Sequence, residues 1–232
     1  MSDVVTQPTS ADDQPGFRRA RSPEHKAQRR QAILDAARGL ATERGVRAVT
    51  LGDIAREVGL TKSNVLRYFE TREAIYLHLS AAGYRDWAAR VQQAVRAGQP
   101  EPLAPARLAG LLADSLDADP LFCDLLSDTA ATLEHNVSLD AVRTYKEAST
   151  SAVHTLTAAL TGPHTGLGAE AAQDLILATA LLTASTWTAT HPSATLIELY
   201  RASPELGALA ADFAPELARL LTLVVRGLRA PA

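Results

Sequence analysis

The stretch Thr50–Phe69, TLGDIAREVGLTKSNVLRYF, decides the fold. Thr50 followed three residues later by Asp53 has the spacing of a capping box, in which side chain and backbone satisfy each other at a helix start. Leu51, Ile54 and Val58 recur as the buried side of that helix, and Gly59 ends it after about two turns. Thr61 caps a second short helix running through Phe69. Ala55 stands four residues before Gly59, where two steeply crossing helices leave room only for a small side chain. Gly59 itself must reach positive φ to reverse the chain. The spacing therefore predicts a helix-turn-helix, with Ile54, Val58, Val65 and Phe69 as its apolar wedge.

Helices this short are marginal alone, so a neighbour must cover them. Upstream, Ser22-Pro23-Glu24 reads as a helix start, and Ile33, Ala37, Leu40 and Ala41 form one apolar stripe available for that purpose. Gly45 is expected to end this helix as a left-handed cap. Downstream, Thr71 caps a helix whose stripe begins Ile75, Leu79 and Ala82. Residues 1–16 are polar, acidic and without periodicity, which predicts a disordered tail. Phe17–Arg21 is a short basic arm. The expected organisation is a tail and arm over 1–21, a helix-turn-helix head over 22–72, and a body over 73–232.

Charge follows the same division. The chain carries a net charge of −3. Residues 17–72 hold 13 lysines and arginines against 6 carboxylates, whereas residues 73–232 hold 10 against 17. An acidic body with a basic head is the footprint of a polyanion partner. Within the second helix of the motif the N-terminal end is polar and positive, and that end enters the major groove in helix-turn-helix proteins. Lys62 and Arg67 suit guanine O6 and N7, and Asn64 suits adenine. Ser63 lies on the same turn. Thr50, Thr61, Tyr68 and Arg72 stand at helix ends or flanks and are expected on phosphates.

With these residues in place, the sequence resembles the TetR repressor family. The matching pattern is Thr50 through Ile54-Ala55 to Gly59, then Thr61-Lys62 to Tyr68-Phe69, then Thr71-Arg72-Glu73, within a match over about residues 27–80. One position departs. The family often has Leu-Tyr where this chain has Val65-Leu66, so the hydroxyl that commonly meets a phosphate is missing. The resemblance implies that residues 80–232 form a helical domain that binds a small ligand and dimerises, and that the chain is a regulator, most often a repressor released from a palindromic operator by its effector.

The body reads independently as all-α. Ala and Leu dominate, aromatics are few, and no segment alternates with a period of two. Helical patterns cover about 104–117, 120–134, 139–160, 169–190, 194–201 and 213–229, with a loop over 161–168. Leu177 and Leu181 on one such helix, and Leu221, Val224 and Leu228 on the last, belong to helices apolar around most of their circumference. They are the expected dimer interface. Trp87, Phe122, Tyr145, His154 and Trp187 are candidates to line an effector pocket, since pockets combine apolar walls with a few polar groups. The expected effector is small and largely apolar.

Other chemistries find no foothold. The single cysteine, Cys123, allows no disulfide within the chain, and the six histidines are scattered without metal-ligand spacing. There is no nucleophile elbow and no P-loop, so neither metal nor cofactor is expected. No signal peptide or bilayer-spanning run is seen, and a cytoplasmic location is expected. The alternatives are an activator, a ligand-independent DNA-binding regulator, a non-specific architectural protein, and, from another class, an enzyme with an appended DNA-binding head.

Overall fold

Thr50, Thr61 and Thr71 each take an extended conformation and turn the side-chain oxygen onto the backbone N–H three residues on, which starts three successive helices. The computed structural model describes residues 23–97, 102–129, 133–207 and 212–230. The acidic tail, the basic arm and the expected Ser22 cap lie outside the described residues.

Among the described residues are ten α-helices and no strand. They are α1 (Pro23–Arg44), α2 (Leu51–Glu57), α3 (Lys62–Val65), α4 (Arg72–Arg96), α5 (Pro105–Asp117), α6 (Pro120–Asp128), α7 (Leu139–Leu160), α8 (Ala169–Thr190), α9 (Ala194–Ala202) and α10 (Phe213–Leu228). An isolated antiparallel bridge between Gly162 and Leu167 closes the turn between α7 and α8. No helix among the described residues is long and apolar enough to cross a membrane.

Two apolar clusters organise the chain. The first joins Ile33, Ala37 and Leu40 of α1 with Ile54 and Ala55 of α2, Val65, Phe69 and the start of α4. It also takes in Leu121 and Leu125 of α6, so α6 belongs in part to the head's core. The second joins the later half of α4 (Trp87, Val91, Val95) with α5, α7, α8 and α10. α4 runs through both clusters because its stripe is long enough to serve each in turn. α6 is α-helical to Asp128, Thr129 and Leu133 beyond it take a π-helical conformation, and the Thr129 hydroxyl turns back onto the Leu125 carbonyl at 2.6 Å.

Gly59 has φ +64, as the chain reversal demands. Gly45 differs from the expected left-handed cap. Its φ of 81 is positive, but ψ is 150, an extended conformation open essentially to glycine alone. The chain leaves α1 through a 3₁₀ turn at Val46–Ala48, with Val46 fully buried in the same cluster as Ile33, Ala37 and Leu40 of α1.

Candidate nucleic-acid interface

The head's first turn is locked locally. The Thr50 oxygen accepts from Asp53 N at 3.2 Å, and Asp53 Oδ2 accepts from Thr50 N at 2.9 Å and from the Thr50 hydroxyl at 2.6 Å. Arg56 adds a contact to Asp53 Oδ1 at 3.0 Å. These bonds, those from Thr50 foremost, hold the Asp53 carboxyl at about 2, well below the usual carboxylate range. The Thr50 hydroxyl proton is thereby engaged within the chain.

Between α2 and α3 the reversal is tight. Leu60 N donates to Ala55 O at 2.8 Å, and Ala55 is almost fully buried where the helices cross. Val65 and Phe69 are buried behind α3, so its outer side is fixed: Lys62, Ser63, Asn64, Leu66 and Arg67 are exposed, and Tyr68 is half-buried. Lys62 does not point straight outward. Its stem crosses the first turn of α2 over Gly52, so closely that a Cβ at position 52 would stand 2.7 Å from Lys62 Cε.

Arg30 of α1 fixes the far end of this unit. Its Nη1 donates to the Tyr68 carbonyl at 2.8 Å, its guanidinium lies 4.0 Å from the Phe69 ring centroid, and Nη2 stands 3.4 Å from His78 Nδ1. Burial, then Arg30 and Arg85, lower the His78 pKa from its ordinary 6.5. Between α1 and α3 runs an open cleft of about 840 Å³ lined by His25, Lys26, Gln28, Arg29, Ala32, Leu60, Asn64, Arg67 and Tyr68. Among the described residues no carboxylate lines it. His25, Lys26 and Arg29 were missed by sequence reasoning, although HKAQRR at the start of a capped helix was the signal.

Arg72, expected on phosphate, is engaged within the chain: its guanidinium donates to the carbonyls of Val49, at 2.5 Å, and Val46, pairs with Glu73 at 3.2 Å, and lies 4.6 Å from the Tyr76 ring centroid. Only 16% of its side chain is exposed. The carbonyls left unpaired by the 3₁₀ turn at Val46–Ala48 need a donor, and Arg72 supplies it.

In the body the aromatic candidates are dispersed. Trp87 and Phe122 are buried in one cluster with Tyr84, and Trp87 Nε1 donates to Ser115 Oγ at 3.0 Å. Tyr145 is buried in the head's cluster instead. His154 is exposed. Trp187 is half-buried between His191, stacked at 3.7 Å, and Phe213. The structure thus brings Trp87 and Phe122 into ring contact and packs Trp187 against the same apolar cluster, while Tyr145 and His154 stand apart from it. A second cleft of about 780 Å³, between the end of α4 and the start of α5, is lined by Arg90, Leu103, Arg107, Leu111 and their neighbours, and by none of the five. Cys123 is enclosed, its Sγ donating to the Leu116 carbonyl at 3.3 Å, and burial raises its thiol pKa away from thiolate chemistry. Among the described residues no group of His, Cys, Asp and Glu is arranged to hold a metal.

Exposed apolar side chains of the body lie on α8 and α10, which pack on each other, and also on α9, where Leu196, Ile197 and Leu199 are exposed, and at Leu139 and Leu206. Leu177, Leu181 and Leu223 are 60%, 62% and 56% exposed. Val224 and Leu228 are half-buried, but Leu221, also expected at an interface, is wholly enclosed within its own chain. It points inward with Leu217 and Val225, and the outward position belongs to Leu223.

Family models match both parts of the chain. One described as "Bacterial regulatory proteins, tetR family" covers residues 33–79, and one described as "Tetracyclin repressor-like, C-terminal domain" covers residues 81–232. No curated protein sequence matches. Solved structures similar in fold include FadR of Thermus thermophilus, a TetR-family transcriptional repressor in complex with lauroyl-CoA. It is 17% identical, covers 88% of this chain and 96% of its own, and has a TM-score of 0.54. The multidrug binding protein EbrR, complexed with imidazole, is 19% identical over 88% and 97% of the two chains, with a TM-score of 0.53. A TetR-family regulator structure from Mesorhizobium loti is 14% identical over 88% and 96%, with a TM-score of 0.55.

Proposed function

The chain belongs to the TetR family of bacterial regulatory proteins, and from that premise we propose that it is a homodimeric repressor that leaves a palindromic operator when a small, largely apolar molecule binds its body. The observation that carries this is the basic cleft between α1 and α3, which continues onto the exposed face of α3 and is lined, among the described residues, by no carboxylate. Ser63, Asn64 and Arg67 are assigned to base edges. Lys62, turned across Gly52 toward Thr50, is assigned to phosphate together with Lys26 and Arg29. Thr61 and Tyr68 border the same surface and serve the backbone of the duplex.

We divide the chain into a head over 22–72 and a body over 73–232. Dimerisation is assigned to the α8–α10 face, because three exposed leucines on two packed helices form the kind of apolar patch that marks a protein contact. One helix-turn-helix binds weakly, and two held about one DNA turn apart fill both half-sites. An effector-binding body fits the FadR and EbrR structures, which hold lauroyl-CoA and imidazole. The reading places the protein on DNA in the cytoplasm and assigns it no catalysis and no cofactor.

The test is selection from randomised duplex DNA followed by footprinting at stated salt. The expected result is an enriched palindrome whose half-sites lie about one turn apart. A chain that enriches no sequence refutes the reading. A reporter driven from the enriched site then distinguishes repression from activation by the sign of the change.

A further inference from the structure

We infer that Leu66 determines operator sequence by packing on the C5-methyl of a thymine. This rests on the reading above that α3 enters the major groove.

The geometry of α3 leads to it. Successive residues advance by about 100° around a helix. Val65 and Phe69 face the core, Leu66 and Tyr68 flank them on either side, and the opposite side carries Ser63 and Arg67. The backbone bonds Leu66 N to Lys62 O at 3.0 Å and Tyr68 N to Val65 O at 2.9 Å continue the turn through Arg67. Leu66 therefore stands at the edge of the outward side, about 60° from Ser63. Lys62 would shield it if it projected forward, but its stem lies back across Gly52.

Leu66 is 46% exposed and belongs to neither apolar cluster. An exposed leucine alone needs no explanation. Here its neighbours are polar or cationic, and its position borders the surface that meets base edges. On the floor of the major groove the thymine methyl is the apolar group available to it. A leucine cannot replace the hydroxyl that relatives carry here, because it offers no donor to a phosphate. It can exclude water from a methyl and leave hydrogen-bonded readout to Ser63 and Arg67.

The experiment uses the full-length chain, wild type and Leu66→Ala, on sites selected from randomised duplex DNA. Each thymine of the selected half-site is then replaced in turn by deoxyuridine, which lacks only the methyl. At one thymine per half-site the wild type should lose about fourfold in affinity, the worth of burying one methyl. Leu66→Ala should bind the thymine site about as weakly as the wild type binds the deoxyuridine site, and should not distinguish the two bases. Leu66→Met, apolar and of similar volume, should restore the preference. Thermal melting shows whether each variant folds.

The inference fails if the wild type is indifferent to deoxyuridine at every position, or if its half-site contains no thymine. It fails equally if Leu66→Ala loses the same factor on every sequence. In these cases an enriched palindrome leaves the proposed function standing. Absence of any enriched site removes both.

Discussion

Asp124 on α6 accepts the backbone N–H of Val46 at 2.6 Å, tying a helix of the body to the turn that leads into the helix-turn-helix. One helical turn further along α6, Asp128 holds Arg47 at 2.8 Å. Asp128 is almost fully buried while Arg47 is largely exposed, so the carboxylate is the fixed partner and the arginine is drawn to it. Arg72 grips the same turn from the other side through the carbonyls of Val46 and Val49. The position of α2 therefore depends on α6 as well as on α1 and α4.

Asp124→Ala should lower stability by about 1–3 kcal/mol, because the N–H of the buried Val46 loses its acceptor. It should also loosen the head relative to the body, and operator affinity should fall while the methyl-sensitive base preference stays. Denaturant unfolding and anisotropy titration measure the two effects. Unchanged values in both would show that the turn is held without α6.

Arg72→Ala and the α1 cations should separate by salt dependence. Lys26→Ala and Arg29→Ala remove charges from the cleft, and each should reduce the salt slope of operator binding by about 1. Arg72→Ala removes a buried support. It should lower the melting temperature and weaken binding to all sequences while leaving the salt slope unchanged. A slope change for Arg72→Ala equal to that of Lys26→Ala would return Arg72 to the phosphates.

What sequence could show divides by range. The caps at Thr50, Thr61 and Thr71 were legible because each is a bond within three residues, and Gly59 because the reversal is local. The bonds of Arg72 were not legible because its partners at Val46 and Val49 lie more than twenty residues away and depend on an extended Gly45. Leu221 and Leu223 are a different matter. The pattern of α10 is one-sided, with Arg219, Thr222 and Arg226 opposite Leu217, Leu221 and Val225, so the inward place of Leu221 against α5 and α8 could have been read; treating the helix as apolar all round hid it. The aromatic candidates were chosen by residue type, which says nothing of whether Trp87 and Tyr145 share a cluster.

Dimerisation should respond to the exposed pair on α8 and not simply to any leucine. Leu177→Glu with Leu181→Glu should give a folded monomer, since both side chains already meet solvent in the single chain. Leu221→Glu should unfold the chain, because a charge in its enclosed site costs several kcal/mol. Light scattering and circular dichroism together read both outcomes. A wild type that scatters as a monomer would end the dimer reading.

His78 makes the head sensitive to acid. Its folded pKa lies below 6.5 through burial beside Arg30 and Arg85, so the unfolded chain takes up the proton first. Above pH 6.5 both states are neutral and the stability is whole. As pH falls from 6.5 toward the folded value, stability is lost. His78→Gln should flatten that part of the profile of urea midpoints against pH. An unchanged slope below pH 6.5 would assign the loss to other groups.

The last prediction concerns how an effector would release DNA. A ligand can shift the head only if it binds one arrangement of the body more tightly than the other. α6 is placed to carry that difference, since its inward side packs Phe122 against Gly83 of α4 and its other side holds Val46 and Arg47. A displacement of α6 too small to disturb the body's core would still move two carboxylates that bond to the turn before α2. A hundredfold loss of operator affinity requires a coupling of about 2.7 kcal/mol, comparable to the worth of those few bonds. By reciprocity, operator DNA must weaken effector binding by the same factor. Once a screen on the wild type has supplied a compound, its affinity is measured with and without the selected duplex, for wild type and for Asp124→Ala with Asp128→Ala. The wild type should show the difference, and the double variant should bind the compound equally well in both conditions. Equal affinities in the wild type would leave a regulator without allosteric release. A double variant with full coupling would move the route from α6 to α4, whose length runs uninterrupted from Arg72 beside the head to Arg96 in the body.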